Sequence, residues 1–395
     1  MRVLAACSLG GAGHLNPLLL FLAAARRRGD ETLVVGPPAL REMVELAGYR
    51  FRAGGEPSEE EVAPIRERLP VAPPAEASVL GNRELFGRMA TNAMLPGMER
   101  VCVEWGPDFV LREPCEYSSA VIAGRLRIPS AQVAISLAEG EAASIASAAP
   151  ALEEHRQGLV EELWASPYLT RFPASLDPSP FPTTVRFREP PPPAPSGVPL
   201  QDWWDGSTAP LLYLTFGTVL GHMSVAAGVY RTAVQAVESL DVRVLLTVGR
   251  QFDRSHLGPV PAHVHVEPWV DQADVFPRAD LVVCHGGSGT AFGAAAAGVP
   301  VVVVPVFADQ FVNGRRIAGT GAGLVVEADP RRTGGPRRVI AGGDAPRLTA
   351  GIETVLGDPS YRRQARVIAA EVATAPTVDD VLDTLLRAEP RRAIP

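Results

Sequence analysis

The densest cluster of chemistry-bearing residues in this 395-residue chain is His285-Gly286-Gly287-Ser288-Gly289-Thr290. It follows Asp280-Leu281-Val282-Val283-Cys284, which reads as a buried strand, and opens an alanine-rich stretch from Ser288 to Ala297 that reads as a helix. Glycines let a backbone come close to a ligand. A helix start adds free N–H groups and the positive end of the helix dipole, and Ser288 and Thr290 add hydroxyls. That combination suits a phosphate; the alternative is a tight strand-to-helix turn with serine as its cap. Two common phosphate motifs are missing. The chain has no lysine, so a GxxxxGK[ST] loop is impossible, and GxGxxG fails at Phe292 counted from Gly287 and at Asn16 counted from Gly11. A nucleoside-triphosphate hydrolase and a nicotinamide-dependent dehydrogenase are both disfavoured. There is no Asp-x-Asp to clamp a metal onto a diphosphate, so amides and the helix dipole would have to meet its charge.

Further candidates lie near strand ends. Trp269, in Glu267-Pro268-Trp269-Val270-Asp271-Gln272, is either packing or a platform for a planar base. Asp309 and Gln310 follow the next strand and are either a helix cap or readers of sugar hydroxyls. Thr215-Phe216-Gly217-Thr218 follows the first strand of the second half. In the first half, His14 closes a glycine-rich loop, residues 8–16, after the first strand. Histidine can remove a proton near neutral pH, although a lone loop histidine is commonly a packing or surface residue. His263 and His265 share one face of a strand but lack a third ligand, so no metal site is expected there. His155, His222 and His256 have no motif around them.

The elements that must position these residues alternate between strand and helix. In the first half, strands are expected at 2–7, 32–35, 108–111 and 130–134, and helices at 17–28 (opened by Pro17), 84–105 and 116–126. Residues 54–82, rich in Pro, Glu and Gly, read as a long mobile segment, with Glu59-Glu60-Glu61 as a solvated helix start. The run Glu189-Pro190-Pro191-Pro192-Pro193-Ala194-Pro195 is a stiff linker. The second half shows strands at 211–215, 242–248, 263–266, 280–284 and 301–304, and helices at 224–240, 288–297, 309–318, 359–372 and 377–388. Trp203-Trp204, just past the linker, is expected to pack between domains. The alternation predicts an α/β protein with two facing doubly wound domains, whose ligands bind beyond the carboxyl ends of the strands in the interdomain cleft.

Composition narrows the class. At about 150 residues per domain, the length allows two or three domains. Hydrophobic residues make up 46% and charged residues 21%, which excludes disorder. A net charge of -7 argues against a nucleic-acid partner. Cys7, Cys102, Cys115 and Cys284 form no CxxC pair, and Cys7 and Cys284 sit in apolar runs as buried thiols, which fits a reducing cytoplasm. Arg26-Arg27-Arg28 follows the apolar Leu18-Leu19-Leu20-Phe21 instead of preceding it, unlike a signal peptide, and no apolar run spans a bilayer.

Trp269 to Gln272, His285 to Thr290, Gly298-Val299-Pro300 and Asp309-Gln310 with Asn313, taken in this order and spacing, resemble the family-1 glycosyltransferases of GT-B fold. Among these the chain is most similar to actinobacterial enzymes that glycosylate natural products. The resemblance extends to Gly321-Ala322-Gly323, Gly13-His14-Leu15-Asn16-Pro17 and Pro107-Asp108-Phe109-Val110, and is weakest over 54–82 and 136–205. It implies an acceptor domain at 1–190, a linker at 191–205, a donor domain at 206–375 and a terminal helix, 376–395, packed back on the first domain.

The resemblance also implies roles. Trp269 stacks on the donor base, and the Val270 backbone pairs with the base edge beside Gln272. Gly217, Thr218, His285, Gly287, Ser288, Gly289 and Thr290 surround the diphosphate, while Asp309 and Gln310 hold sugar hydroxyls. His14 is the general base of an inverting, metal-independent transfer. Glu113 stands where relatives carry the aspartate that orients the base; its alternative is a surface ion pair with Arg112 or Arg125. Plant relatives carry a glutamate for the ribose hydroxyls eight residues after the motif histidine, and here that position is Gly293, which favours a dTDP-sugar over a UDP-sugar. No cofactor or metal is expected. The implied partners are the nucleotide-sugar and a hydrophobic aglycone lodged by 54–100 and 136–165, and the resemblance accommodates a homodimer. Two other readings stay open: a GT-B-fold nucleotide-sugar epimerase, and a non-catalytic glycosyltransferase-like helper.

Overall fold

The computed structural model describes residues 1–8, 11–69, 72–190, 202–217, 220–307, 309–331 and 339–388. The chain divides into two compact units, Met1–Pro190 with Ala375–Pro395, and Pro191–Thr374. Most of the proline-rich linker lies outside the described residues.

The first unit is built on seven parallel strands: β1 (Arg2–Ala6), β2 (Glu31–Gly36), β3 (Phe51–Ala53), β4 (Phe109–Arg112), β5 (Ser130–Val133), β6 (Tyr168–Thr170) and β7 (Thr184–Arg186). Their order in the sheet is β3-β2-β1-β4-β5-β6-β7. The central strands are almost wholly buried because helices cover both faces, which is why they read as unbroken apolar runs. The second unit repeats the plan with β8 (Leu211–Thr215), β9 (Arg243–Thr247), β10 (Val264–Glu267), β11 (Leu281–Cys284), β12 (Val301–Val303) and β13 (Gly323–Val325), in the order β10-β9-β8-β11-β12-β13. All pairs are parallel. These are two Rossmann-like α/β sheets, each with its direction of winding reversed next to its first strand.

The last helix, Val378–Ala388, belongs to the first unit. Val378, Val381, Leu382 and Leu386 enter the core that holds Leu18 and Leu22 of helix Ala12–Arg27. Asp379 accepts two hydrogen bonds from Arg27, at 2.9 and 2.7 Å, and Asp383 pairs with Arg28.

Three local expectations differ from the structure. The first helix starts at Ala12, not at Pro17. Gly11 accepts from the N–H groups of His14 at 3.1 Å and Leu15 at 3.3 Å, so a turn forms upstream of the proline. Pro17 sits early enough in the helix that its missing N–H removes only the bond to Gly13. Residues 54–82 are not an irregular segment: helix Glu59–Arg68 runs through them. Ser58 and Glu61 close a capping box, with the Ser58 hydroxyl accepting from Glu61 N–H and the Glu61 carboxylate accepting from Ser58 N–H. A helix Pro74–Ser78 and a π-helical stretch Val79–Ala90 follow. Lastly, Trp203 and Trp204 fold onto their own unit. The Trp204 indole donates to the His263 carbonyl at 2.9 Å and Trp203 stacks on His265 at 4.0 Å, covering the edge strand β10.

Candidate active site

β1 and β4 are neighbours at the point where the first sheet reverses its winding, and the segments leaving their carboxyl ends carry His14 and Glu113. Glu113 is fully buried, so it cannot make the surface ion pair left open above. Its backbone N–H donates to Ala6 at 3.2 Å, holding it against β1. Its Oε1 accepts from the Ser8 N–H at 2.9 Å and from the Ser8 hydroxyl. Its Oε2 accepts from the Cys115 N–H at 2.7 Å and faces His14 Nδ1 at 3.3 Å. Burial pushes the Glu113 carboxyl up, but His14, Ser8 and the Cys115 amide outweigh it and hold the group below the usual carboxylate range. An ionised carboxylate at that place keeps a proton on Nδ1 and leaves the lone pair on Nε2. The His14 side chain is 24% exposed. The ring of Phe86, from the π-helical stretch, lies nearly parallel to it at 6.2 Å.

A polar cluster that the sequence did not reveal lies behind the dyad. Arg112, the last residue of β4, is buried and donates to the carbonyls of Glu113, Pro114 and Glu116, and to Gln132. It thus fastens the loop that carries Glu113. Glu141 accepts from the N–H groups of Ile135 and Ser136, each at 2.8 Å. Burial pushes its carboxyl up to about 8, against the backbone of Ser136, the Tyr168 hydroxyl and the backbone of Ile135, and Asp177 raises it further.

The second unit repeats the arrangement. β8 and β11 are neighbours, and Gly217 and His285 follow them. Gly217 has φ +72°, and a Cβ there would come within 2.8 Å of the His285 ring. A Cβ on Gly287 would come within 2.4 Å of it. Both glycines are therefore needed to admit the imidazole. Burial pushes His285 down to about 4, with Asp309 pulling the other way, so the ring is neutral at pH 7. Gly287, extended, is the N-cap of helix Ser288–Ala296. Thr290 Oγ1 accepts from Gln272 Nε2 at 3.0 Å, which joins two segments singled out separately in the sequence. Asn313, wholly buried, donates to the Gly286 carbonyl at 2.9 Å and to Asp309 at 3.0 Å. It ties the glycine loop to the start of helix Gln310–Thr320.

Gln310 is buried, and its Oε1 accepts from the N–H groups of Val306 and Phe307 at 2.8 and 2.9 Å. Its carbonyl end thus serves its own loop. Gly289 is exposed, with open space at its Cβ position. Trp269 is 51% exposed, with the Arg250 guanidinium 5.5 Å from its ring centroid, and Val270 is half-buried. Arg250 carried no motif in the sequence. A Cβ at Gly293 would meet the Phe276 ring at 3.0 Å. Thr218 lies outside the described residues. His265 pairs with Glu267 at 2.7 Å, and His263 meets the Val237 carbonyl at 3.0 Å.

Comparisons with known proteins agree with this architecture. Residues 231–387 match the family described as erythromycin biosynthesis protein CIII-like, C-terminal domain. The chain is similar to L-demethylnoviosyl transferase of Streptomyces niveus, 32% identical over 405 aligned positions that cover 100% of both chains. It is 31% identical to elloramycin glycosyltransferase ElmGT of Streptomyces olivaceus over 96% of each chain. In fold it matches the spinosyn rhamnosyltransferase SpnG, with a TM-score of 0.76 and 24% identity over 98% of this chain and 100% of that one. A further SpnG structure, complexed with thymidine diphosphate, matches with a TM-score of 0.75 over the same shares. Among the described residues no helix is long and apolar enough to cross a membrane. With two parallel-sheet units of GT-B type and end-to-end likeness to such enzymes, the chain belongs to the actinobacterial natural-product glycosyltransferases.

Proposed function

We propose that the protein transfers a sugar from a dTDP-sugar to a hydroxyl of an apolar aglycone, with inversion at the anomeric carbon and without a metal ion. The observation that carries this reading is the pairing of His14 Nδ1 with the buried Glu113 carboxylate. His14 Nε2 takes the proton of the acceptor hydroxyl. The oxygen attacks the anomeric carbon while the bond from that carbon to the diphosphate breaks. The proton stays on the imidazole, whose charge Glu113 stabilises, and thymidine diphosphate departs.

The second unit meets the departing charge. The N-terminus of helix Ser288–Ala296, with Ser288, Gly289 and the open space beside Gly289, receives the diphosphate. His285, neutral when the site is free, gains a proton more readily as that negative charge approaches. Thr218 follows Gly217 in the sequence, and the same role is proposed for it. Trp269 offers one ring face to the base while Arg250 lies over the ring, and the Val270 backbone reads the base edge. Asp309 and the amide of Gln310 hold sugar hydroxyls. The Phe276 ring beside Gly293 is apolar where a UDP-sugar would want an acceptor for its ribose 2′-hydroxyl, which supports a deoxyribose donor. The thymidine diphosphate bound by the fold relative SpnG supports the same choice. For the acceptor, Phe86 next to His14 supports a pocket walled by the π-helical stretch. That stretch is held to helix Ala138–His155 through His155 and Gly87, 2.8 Å apart.

The test is a panel of dTDP- and UDP-sugars assayed with polyketide and aromatic aglycones, with the product anomer assigned by NMR. The expected result is faster turnover of a dTDP-sugar, an inverted anomer, and a rate unaffected by a chelator. Fastest turnover with UDP-glucose, or a retained anomer, would overturn the reading.

A further inference from the structure

Beyond the dyad itself, its surroundings contain an unused ligand. Among the described residues, one group of three metal-ligating side chains falls together: a ring nitrogen of His14, a Glu113 carboxylate oxygen and Cys115 Sγ all lie within 4.8 Å of one another, and His14 Nδ1 is the nitrogen that faces Glu113 Oε2, at 3.3 Å. The dyad uses Cys115 only through its backbone N–H, which donates to Glu113 Oε2. The thiol is free and half-buried, the Glu113 carboxylate and His14 Nδ1 are buried, and the rest of the His14 side chain reaches solvent. Glu113 is already fixed in place, because Ser8 holds Oε1 while Oε2 faces His14 Nδ1.

The donor set is one imidazole nitrogen, one carboxylate oxygen and one sulfur. It suits a borderline-soft divalent cation such as Zn2+ or Cd2+ and is a poor match for Mg2+. Drawing the three atoms to bonding distance, roughly 2.0–2.3 Å from an ion for zinc, needs only a small contraction of the group and leaves a fourth position open.

We propose that a thiophilic divalent cation binds His14, Glu113 and Cys115 and acts as an inhibitor of transfer. The ion takes the place of the proton on Nδ1. That proton moves to Nε2 by way of solvent, and the thiol proton is released. The ring then carries N–H at Nε2 and has no lone pair for the acceptor hydroxyl. Binding stands on the three ligands alone; the inhibition rests on the reading of His14 as the base.

The experiment titrates the purified full-length chain with Cd2+ in thiol-free buffer and follows the thiolate-to-cadmium charge-transfer absorption. In parallel, the transfer rate is measured with and without Zn2+. The expected result is one Cd2+ equivalent with a charge-transfer band in the wild type and no band in Cys115→Ala. Zn2+ inhibition should be reversed by a chelator, and Cys115→Ala should raise the half-inhibiting Zn2+ concentration at least ~10-fold. No band, or a band that persists in Cys115→Ala, overturns the metal site and leaves His14 as base untouched. One equivalent bound through Cys115 with no loss of rate overturns the inhibitory role and points against His14 as the base.

Discussion

His14 Nδ1 and Glu113 Oε2 stand 3.3 Å apart, one residue after β1 and the other after β4, adjacent strands whose onward connections run to opposite sides of the sheet. The crevice at such a reversal is where doubly wound sheets bind ligands. The second unit places Gly217 and His285 at the equivalent point. If Glu113 fixes the tautomer of His14, then Glu113→Gln should lower kcat by roughly 10²–10⁴-fold, as for loss of an orienting carboxylate elsewhere. Affinity for thymidine diphosphate, measured by calorimetry, should stay at the wild-type value. Equal losses of rate and nucleotide affinity would instead mark Glu113 as structural.

Gly217 is a packing requirement of His285. A side chain there would have to adopt φ +72° and would press against the imidazole. Gly217→Ala should therefore destabilise the fold by roughly 1–3 kcal/mol in denaturant titration and weaken thymidine diphosphate binding. Gly289→Ala, where the space is open, should change stability by no more than about 0.5 kcal/mol. Similar stability losses at both positions would show that the wedge between Gly217 and Gly287 does not set the loop.

The proposed preference for a dTDP-sugar rests on the apolar pair Gly293 and Phe276. The double substitution Gly293→Glu with Phe276→Ala makes room for a carboxylate where the ribose is proposed to lie. A charged acceptor for the 2′-hydroxyl should raise the UDP-to-dTDP ratio of kcat/KM by about 10-fold or more, as expected for a hydrogen bond to a charged group of ~1.5–3 kcal/mol. An unchanged ratio would place donor selection elsewhere.

Glu141 gives the fold a pH signature. Its carboxyl is raised from 4.5 to about 8. Between those values the folded chain holds a proton that the unfolded chain has lost, so stability falls as pH rises through that window. The contribution is complete below the unfolded value and gone above the folded one. Glu141→Gln, which cannot ionise, should flatten the fall of Tm across that window. Parallel Tm curves for the two proteins would contradict the assignment.

Sequence pattern disclosed what long apolar runs and glycine spacing can encode. β1, β4, β8 and β11 are four or five residues long and buried, so they stand out without periodicity. The loop from His285 to Thr290 and the Gly13-His14 turn follow directly from them. β3, β6, β7 and β13 are three residues each, too short to separate from loop, and depend on a neighbouring strand for their hydrogen bonds. The Pro and Glu content of 54–82 hid a helix that is fixed by its Ser58 cap and not by an apolar stripe. Arg112 ends an apolar strand, and nothing in its neighbours announces that its charge is buried against three carbonyls. Arg250 likewise reaches Trp269 only through the fold.

The central claim is that His14 removes the acceptor proton, and turnover of His14→Ala tests it most directly, measured beside its affinity for thymidine diphosphate. The expected result is a fall in kcat of at least ~10²-fold with nucleotide binding at the wild-type level. A His14→Ala protein that transfers sugar at the wild-type rate would contradict it.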